Sequence, residues 1–266
     1  MGIGTNDLRL LLRLRMLGYI PSAASVIEIG AQQIENHVLL DQGIFDDLRT
    51  GFGSSDLLRW PVPTSLSSSP QNGPLSREMW LRLGCSYRSI DIDNSPHSIN
   101  LDLNYDSVPE ASLGAFDLVT NYGTTEHVAN QLNAFKIIHD LTKPGGIMVH
   151  HVPAQGHLNH GLFNYNAKFF WMLCRSNGYK VVYMGFEGDT GDRQDTTRDI
   201  TEFMQGFDTL GADATKMTFA EVALNVALQK QLSQDYVSAL DIPTGTAPAS
   251  EQIRKRYWTV FSDGAY

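Results

Sequence analysis

The run Val26-Ile27-Glu28-Ile29, ending at Gly30, constrains the fold more than any other stretch of this chain. It reads as a short buried β-strand stopped by a turn residue. A carboxylate inside such a strand is costly unless something pairs with it. Glu28 is therefore expected to face either a ligand or backbone donors. Apolar strand, acid, glycine turn and helix is the order in which a nucleotide-type pocket opens at the carboxyl edge of an α/β sheet. Gly30 is followed by Ala31, Gln32 and Gln33, with no further glycines.

Strand and helix signals alternate along the rest of the chain. YRSIDID (87–93) is a second strand ending in acids, and NLDLN (100–104) a short third one. About 60 residues separate Glu28 from Asp91, roughly twice what a plain βαβ unit needs, so something is inserted. In that insertion, 60–74 is rich in Pro, Ser, Gly and Asn and reads as a loop between two short helices, DLLRW and LSREMWLRLG. FDLVTNYG (116–123) is a buried strand with a turn. Val128, Leu132, Phe135, Ile138 and Leu141 then recur at helical spacing over 126–141. Ile147–Val152 and 179–187 read as strands flanking a helix at 166–178, and 218–230 as a late strand or a helix. The pattern predicts a Rossmann-like, doubly wound, mostly parallel seven-stranded sheet with helices on both faces. The expected organisation is an N-terminal helical extension (1–24), a domain at 25–230 with insertions near 36–84 and 188–216, and a C-terminal tail (231–266).

The chain has 266 residues and a net charge of −9, which argues against a partner as acidic as a nucleic-acid duplex. Cys85 and Cys174 are its only cysteines, so no disulfide framework or thiolate metal site is expected. The leucine-rich segment 8–17 contains three arginines. It fits neither a signal peptide nor a membrane span, and reads as an amphipathic helix capped by Thr5, Asn6 or Asp7 and stopped at Gly18. The expected setting is the cytoplasm, without membrane contact, and a homo-oligomer is compatible with the sequence.

Glu28, Asp91 and Asp102 stand at or near three successive strand ends. Asp91 can accept hydrogen bonds from both hydroxyls of a ribose; the alternative for each acid is a cap or turn role. The order SVIEIG, SIDID, LDL, FDLVTNYGTTEHV and LTKPGGIMVHHVP over residues 25–187 resembles the class I S-adenosylmethionine-dependent methyltransferases. That family's first motif is E-x-G-x-G-x-G, of which only Glu28 and Gly30 match. The resemblance implies S-adenosylmethionine as cofactor, Gly30 beside its methionine part and Asp91 on the ribose. It also implies Asp102 and Leu103 near the adenine, and Asn121 and Tyr122 at the end of strand 4. Gln32 and Gln33, replacing bare backbone, are expected to pack beside or hydrogen-bond to the methionine end. A nicotinamide-dependent oxidoreductase is the less favoured alternative, because Gly30-Ala31-Gln32-Gln33 fails G-x-G-x-x-G. A catalytically silent cofactor-binding protein of the same fold is the other.

Four of the eight histidines fall between 150 and 160. His150 and His151 are adjacent in a strand, so at most one faces the site. His151, His160 and His127 are the candidate catalytic residues. A neutral imidazole can take the proton of a hydroxyl during methyl transfer. The cluster could instead bind a metal, but no ligand spacing of a known metal site is present, so metal binding is the lesser reading and no metal ligand is assigned. The reading is O-methylation of a small-molecule or carbohydrate acceptor.

Overall fold

A computed structural model describes residues 2–56, 73–93, 97–157, 160–189, 195–199, 221–241 and 250–261. Eight strands form one sheet: β1 (Ser25–Ile29), β2 (Ser86–Asp91), β3 (Ser98–Asn100), β4 (Phe116–Tyr122), β5 (Thr142–Gln155), β6 (Lys180–Asp189), β7 (Asp195–Asp199) and β8 (Val222–Gln229). Their order is β3-β2-β1-β4-β5-β8-β6-β7. β1 pairs in parallel with β2 and β4, β2 with β3, and β4 with β5. β8 runs antiparallel between β5 and β6. The expected seven strands are present. An eighth, β7, adds an antiparallel edge from within the second insertion. Within 218–230 the described part, Val222–Gln229, is a strand; β3 meets the expected 100–104 only at Asn100, and 103–105 form a turn instead.

Helices cover both faces. α4 (Gln131–Leu141) and α5 (Ala167–Asn177) pack on one side, where Phe135, Ile138, Phe170 and Leu173 meet Ile27 and Ile29 of β1. On the other side lie α1 (Thr5–Met16), α2 (Gln42–Phe52) and α3 (Ser76–Arg82). There Leu8, Leu11, Phe45 and Trp80 meet Val26 and Leu118. Two short helices, α6 (Glu251–Arg256) and α7 (Trp258–Phe261), follow. The expected DLLRW helix lies outside the described residues except for Asp56, as do most of the 60–74 loop and of the second insertion. Among the described residues no helix is long and apolar enough to cross a membrane.

Side chains alternate along β1, so Glu28 points towards α3 and is fully buried. Its carboxylate accepts four hydrogen bonds. The donors are Trp80 Nε1 (2.9 Å), Ser76 Oγ (2.7 Å), the Tyr87 hydroxyl (2.9 Å) and the Gln32 amide (3.1 Å). Burial raises its pKa above the usual carboxylate range, and the four donors pull it back. One carboxylate thus ties β1 to β2, to α3 and to the turn after Gly30.

The chain after Gly30 departs from the expected strand-turn-helix. Ile3 bridges to Ile34 and Gln33 to Leu75, so the chain pairs as β-bridges at 33–34 before a turn at 36–37, and the first α-helix after β1 is α2 at Gln42. The N-terminal segment and the start of α3 hold this bridged stretch by backbone pairing: Ile3 N donates to Gln33 O (2.8 Å) and Ser76 N to Gln32 O (3.0 Å).

The neighbours His150 and His151 do point to opposite faces. His150 lies against Phe135 and Phe170, with ring centroids 5.6 and 5.0 Å away. His151 Nδ1 pairs with Asp7 Oδ1 at 2.7 Å. Asp7 Oδ2 also accepts from the Gly4 amide (2.8 Å), so one carboxylate caps α1 and locks it to β5.

Glu28→Gln presents an amide donor where four donors converge. It is expected to cost about 2 kcal/mol of folding free energy in urea denaturation, and an unchanged midpoint would contradict the network. Burial lowers the pKa of His151, but Asp7, by charge and hydrogen bond, with Glu187 and Glu35, raises it overall to about 9. A raised imidazole pKa stabilises the fold fully below its unfolded value, near 6.5, and that stabilisation is lost as pH rises through about 9. Differential scanning fluorimetry from pH 6 to 10 should show this loss, on the order of 2 kcal/mol, and Asp7→Asn should flatten it. Parallel curves for the two proteins would refute the pairing.

Candidate functional site

A cavity of about 660 Å³ opens at the carboxyl ends of β1, β2 and β4, within the size range of small-molecule sites. Its floor is the turn Gly30-Ala31-Gln32-Gln33. One wall is Ile90, Asp91 and Ile92 at the end of β2, continued by Leu101, Asp102, Leu103 and Asn104. The facing wall is Gly123, Thr124, His127 and Val128, after β4.

The floor depends on glycine. Gly30 has φ of +79°, in the left-handed region, and a Cβ there would stand 2.5 Å from Thr124 Oγ1. Thr124 donates its hydroxyl to Ile29 O (2.6 Å), closing the turn against β4. Gln32 is only 6% exposed, and its amide nitrogen folds back onto the Gly30 carbonyl and Thr124 Oγ1, 3.3 Å from each. Its amide is thus spent on the turn, unlike the expected reach towards a ligand.

Asp91 accepts hydrogen bonds from the backbone amides of Ala31 (3.1 Å) and Ile92 (2.8 Å). It borders the cavity while still bracing the turn. Asp102 also lines the cavity, and its carboxylate accepts from the Asn104 amide (2.7 Å). That is the cap role weighed against ligand contact, and here the two coexist. Leu101 and Leu103, 2% and 8% exposed, supply the apolar surface of that wall.

Three of the expected contact residues do not reach the cavity. Glu28 points through the sheet to α3, because alternate strand residues face opposite sides; it supports the turn through the Gln32 amide. Tyr122 is fully buried in the α1–α3 layer by the same alternation. Asn121 is buried too: its Oδ1 accepts from the amides of Thr124 (3.3 Å) and Thr125 (3.2 Å), and its Nδ2 donates to Thr125 Oγ1 (2.8 Å). It shapes the turn that carries Thr124 and His127. Thr124, Ile90, Ile92 and Val128 were missed; for Thr124 the signal was its place directly after the strand-ending glycine.

The histidines separate clearly. His151 does not line the cavity, and its pairing with Asp7 keeps it protonated at neutral pH, which makes it a poor base. His150 is fully buried, and burial lowers its pKa to about 3. His127 sits on the cavity wall in a single 3₁₀ turn, Thr125–His127, that precedes α4. His160, from the loop after β5, lies beside it, with ring centroids 5.3 Å apart. Burial lowers the pKa of both, so both imidazoles are neutral near pH 7. Behind them is Glu126, fully buried, its pKa raised by burial.

A family model described as a methyltransferase domain matches residues 7–182. No curated protein matches the chain. Among solved structures, a SAM-dependent methyltransferase from Archaeoglobus fulgidus is 12% identical, over 84% of this chain and 94% of that one, with a TM-score of 0.43. The 1,6-didemethyltoxoflavin-N1-methyltransferase of Burkholderia thailandensis is also 12% identical, over 84% and 77%, with a TM-score of 0.44. The geranyl diphosphate C-methyltransferase of Streptomyces coelicolor is 12% identical, over 85% and 77%, with a TM-score of 0.42. The family match covers most of the chain, from α1 into β6, and includes every residue that lines the cavity except Gly2. The chain therefore belongs to the methyltransferase domain family, the S-adenosylmethionine-dependent class that its motifs resemble.

Proposed function

We propose that the chain transfers the methyl group of S-adenosylmethionine to a hydroxyl of a small-molecule acceptor. The observation that carries this reading is the cavity itself: a glycine cradle, an acid and an apolar wall converge at the carboxyl ends of β1 and β2. The cradle fits the cofactor, since the left-handed turn at Gly30, where a Cβ would collide with Thr124, leaves the backbone of Gly30 and Ala31 bare on the cavity floor beside Asp91. Gly30 and Ala31 would hold the methionine part by close backbone approach. Asp91, fixed by two backbone amides, would take the ribose hydroxyls. Ile90, Leu101 and Leu103 would flank the base.

When bound, the cofactor supplies a methyl already activated on a sulfonium. The remaining work of the chain is alignment, exclusion of water and activation of the acceptor. His127 and His160 are the groups placed for the last of these, at the edge of the cavity. An acidic chain suits a small acceptor better than a nucleic acid. A carbohydrate acceptor rests on the same hydroxyl chemistry and has no further observation behind it.

Calorimetry with S-adenosylmethionine, S-adenosylhomocysteine and NAD tests the reading. Both adenosyl compounds are expected to bind, NAD is not, and Asp91→Ala should weaken binding at least tenfold. Binding of NAD alone would overturn the proposal. Tight cofactor binding with no methyl transfer to any hydroxyl acceptor would favour the silent protein over the enzyme.

A further inference from the structure

Glu126 carries both oxygens of its carboxylate fully buried and, among the described residues, without a hydrogen-bond partner. Such a group is costly whether ionised or protonated. What surrounds it is a set of imidazole nitrogens. His160 Nε2 is 3.4 Å from Glu126 Oε1 and, among the described residues, has no hydrogen-bond partner. His127 Nε2 is 4.0 Å from the same oxygen. The three ligating atoms lie within 4.8 Å of one another. The ring of His157 packs edge-on against that of His160, with centroids 5.8 Å apart, and its buried Nε2 is likewise without a partner among the described residues.

The fold builds this cluster deliberately. The amides of Leu162 (2.7 Å) and Phe163 (3.2 Å) both donate to the Glu126 carbonyl, clamping the loop after β5 onto the turn after β4. The contact is close because residue 161 is glycine: a Cβ there would stand 2.8 Å from Glu126 Cγ. The Tyr165 hydroxyl, bonded to Thr125 Oγ1 (2.9 Å) and Gln131 Oε1 (2.6 Å), pins the same loop from its other end.

We propose that Glu126, His127 and His160 bind a divalent transition-metal ion at the edge of the cofactor cavity. One carboxylate oxygen and two imidazoles are a donor set suited to Zn²⁺, Co²⁺ or Mn²⁺. A tetrahedral ion of this kind holds its ligands about 3.3 Å apart, the spacing His160 and Glu126 already have. His127, half exposed, closes the remaining distance by a side-chain rotation. Three protein ligands would leave a coordination position open, and of the three His127 lines the cavity, so an ion there would be reached from the cavity side. An acceptor hydroxyl there would be polarised and its pKa lowered, with its proton passing to solvent before the oxygen–methyl bond forms and the methyl–sulfur bond breaks. The two histidines then act as ligands and not as free bases, which was the lesser reading of the sequence. This role in activating the acceptor rests on the methyltransfer reading; the ion binding itself does not.

The test is a Co²⁺ titration of the full chain after treatment with chelator, followed by visible spectroscopy, with S-adenosylhomocysteine calorimetry run in parallel. One equivalent of cobalt with d–d bands is expected, displaced by Zn²⁺. His160→Ala and Glu126→Gln should each weaken it at least tenfold, while His160→Ala still binds S-adenosylhomocysteine, which shows that it is folded. No stoichiometric cobalt binding, or binding unaffected by His160→Ala, overturns the site. If cobalt binds and S-adenosylhomocysteine does not, the metal site stands and the cofactor reading falls; the reverse result removes the metal site alone.

Discussion

Glu28 is a carboxylate with no access to water, and the walls of the cavity depend on how it is satisfied. Its four donors come from β2, from α3 and from the turn after Gly30. A buried acid in this state acts as a fastener: each donor left unpaired would cost 1–3 kcal/mol, so the elements that carry the donors are held in one arrangement. The floor of the cavity is therefore fixed from beneath, and Glu28 shapes a ligand site that it does not touch.

Above that fastener the turn is built differently from a glycine-rich phosphate loop. Only Gly30 needs a left-handed backbone. Gln32 substitutes side chain for bare backbone by hydrogen-bonding the turn and Thr124. The bridged stretch around 33–34 stands where an immediate helix was expected, because Ile3 and Leu75 pair with its backbone. The missing glycines and the missing helix are thus one fact. A segment bridged to Ile3 and Leu75 runs along those neighbours instead of winding tightly around a ligand, and Gln32 braces the turn that leads into it.

Much of this was legible in the chain, where the signal is local. The run 116–123 announced β4, and adjacency alone put His150 and His151 on opposite faces. Gly30, Gln32, Asp91, Asp102, Leu103 and His127 all border the cavity, as strand-end positions should. What was not legible depends on residues far apart in sequence. Nothing near Glu28 says that Trp80, Ser76 and Tyr87 will face it, and nothing near Glu126 says that His160 will. His151 shows the same limit. As a histidine at the end of a strand it resembled a base, until Asp7 of α1 took it as a partner. Two of the eleven expected site residues, Asn121 and Tyr122, miss the cavity for local reasons: alternation sends Tyr122 through the sheet into the α1–α3 layer, and Asn121, on the opposite face, turns in to hydrogen-bond Thr124 and Thr125.

The central claim is that the cavity between Gly30, Asp91, Leu103 and His127 is where the adenosyl cofactor sits. A crystal structure of the complex with S-adenosylhomocysteine measures this directly. The account predicts the ribose hydroxyls on the Asp91 carboxylate, the base between Ile90 and Leu103, and the homocysteine end over the Gly30 turn. Density for the ligand elsewhere on the chain, or a ribose with no contact to Asp91, would contradict it.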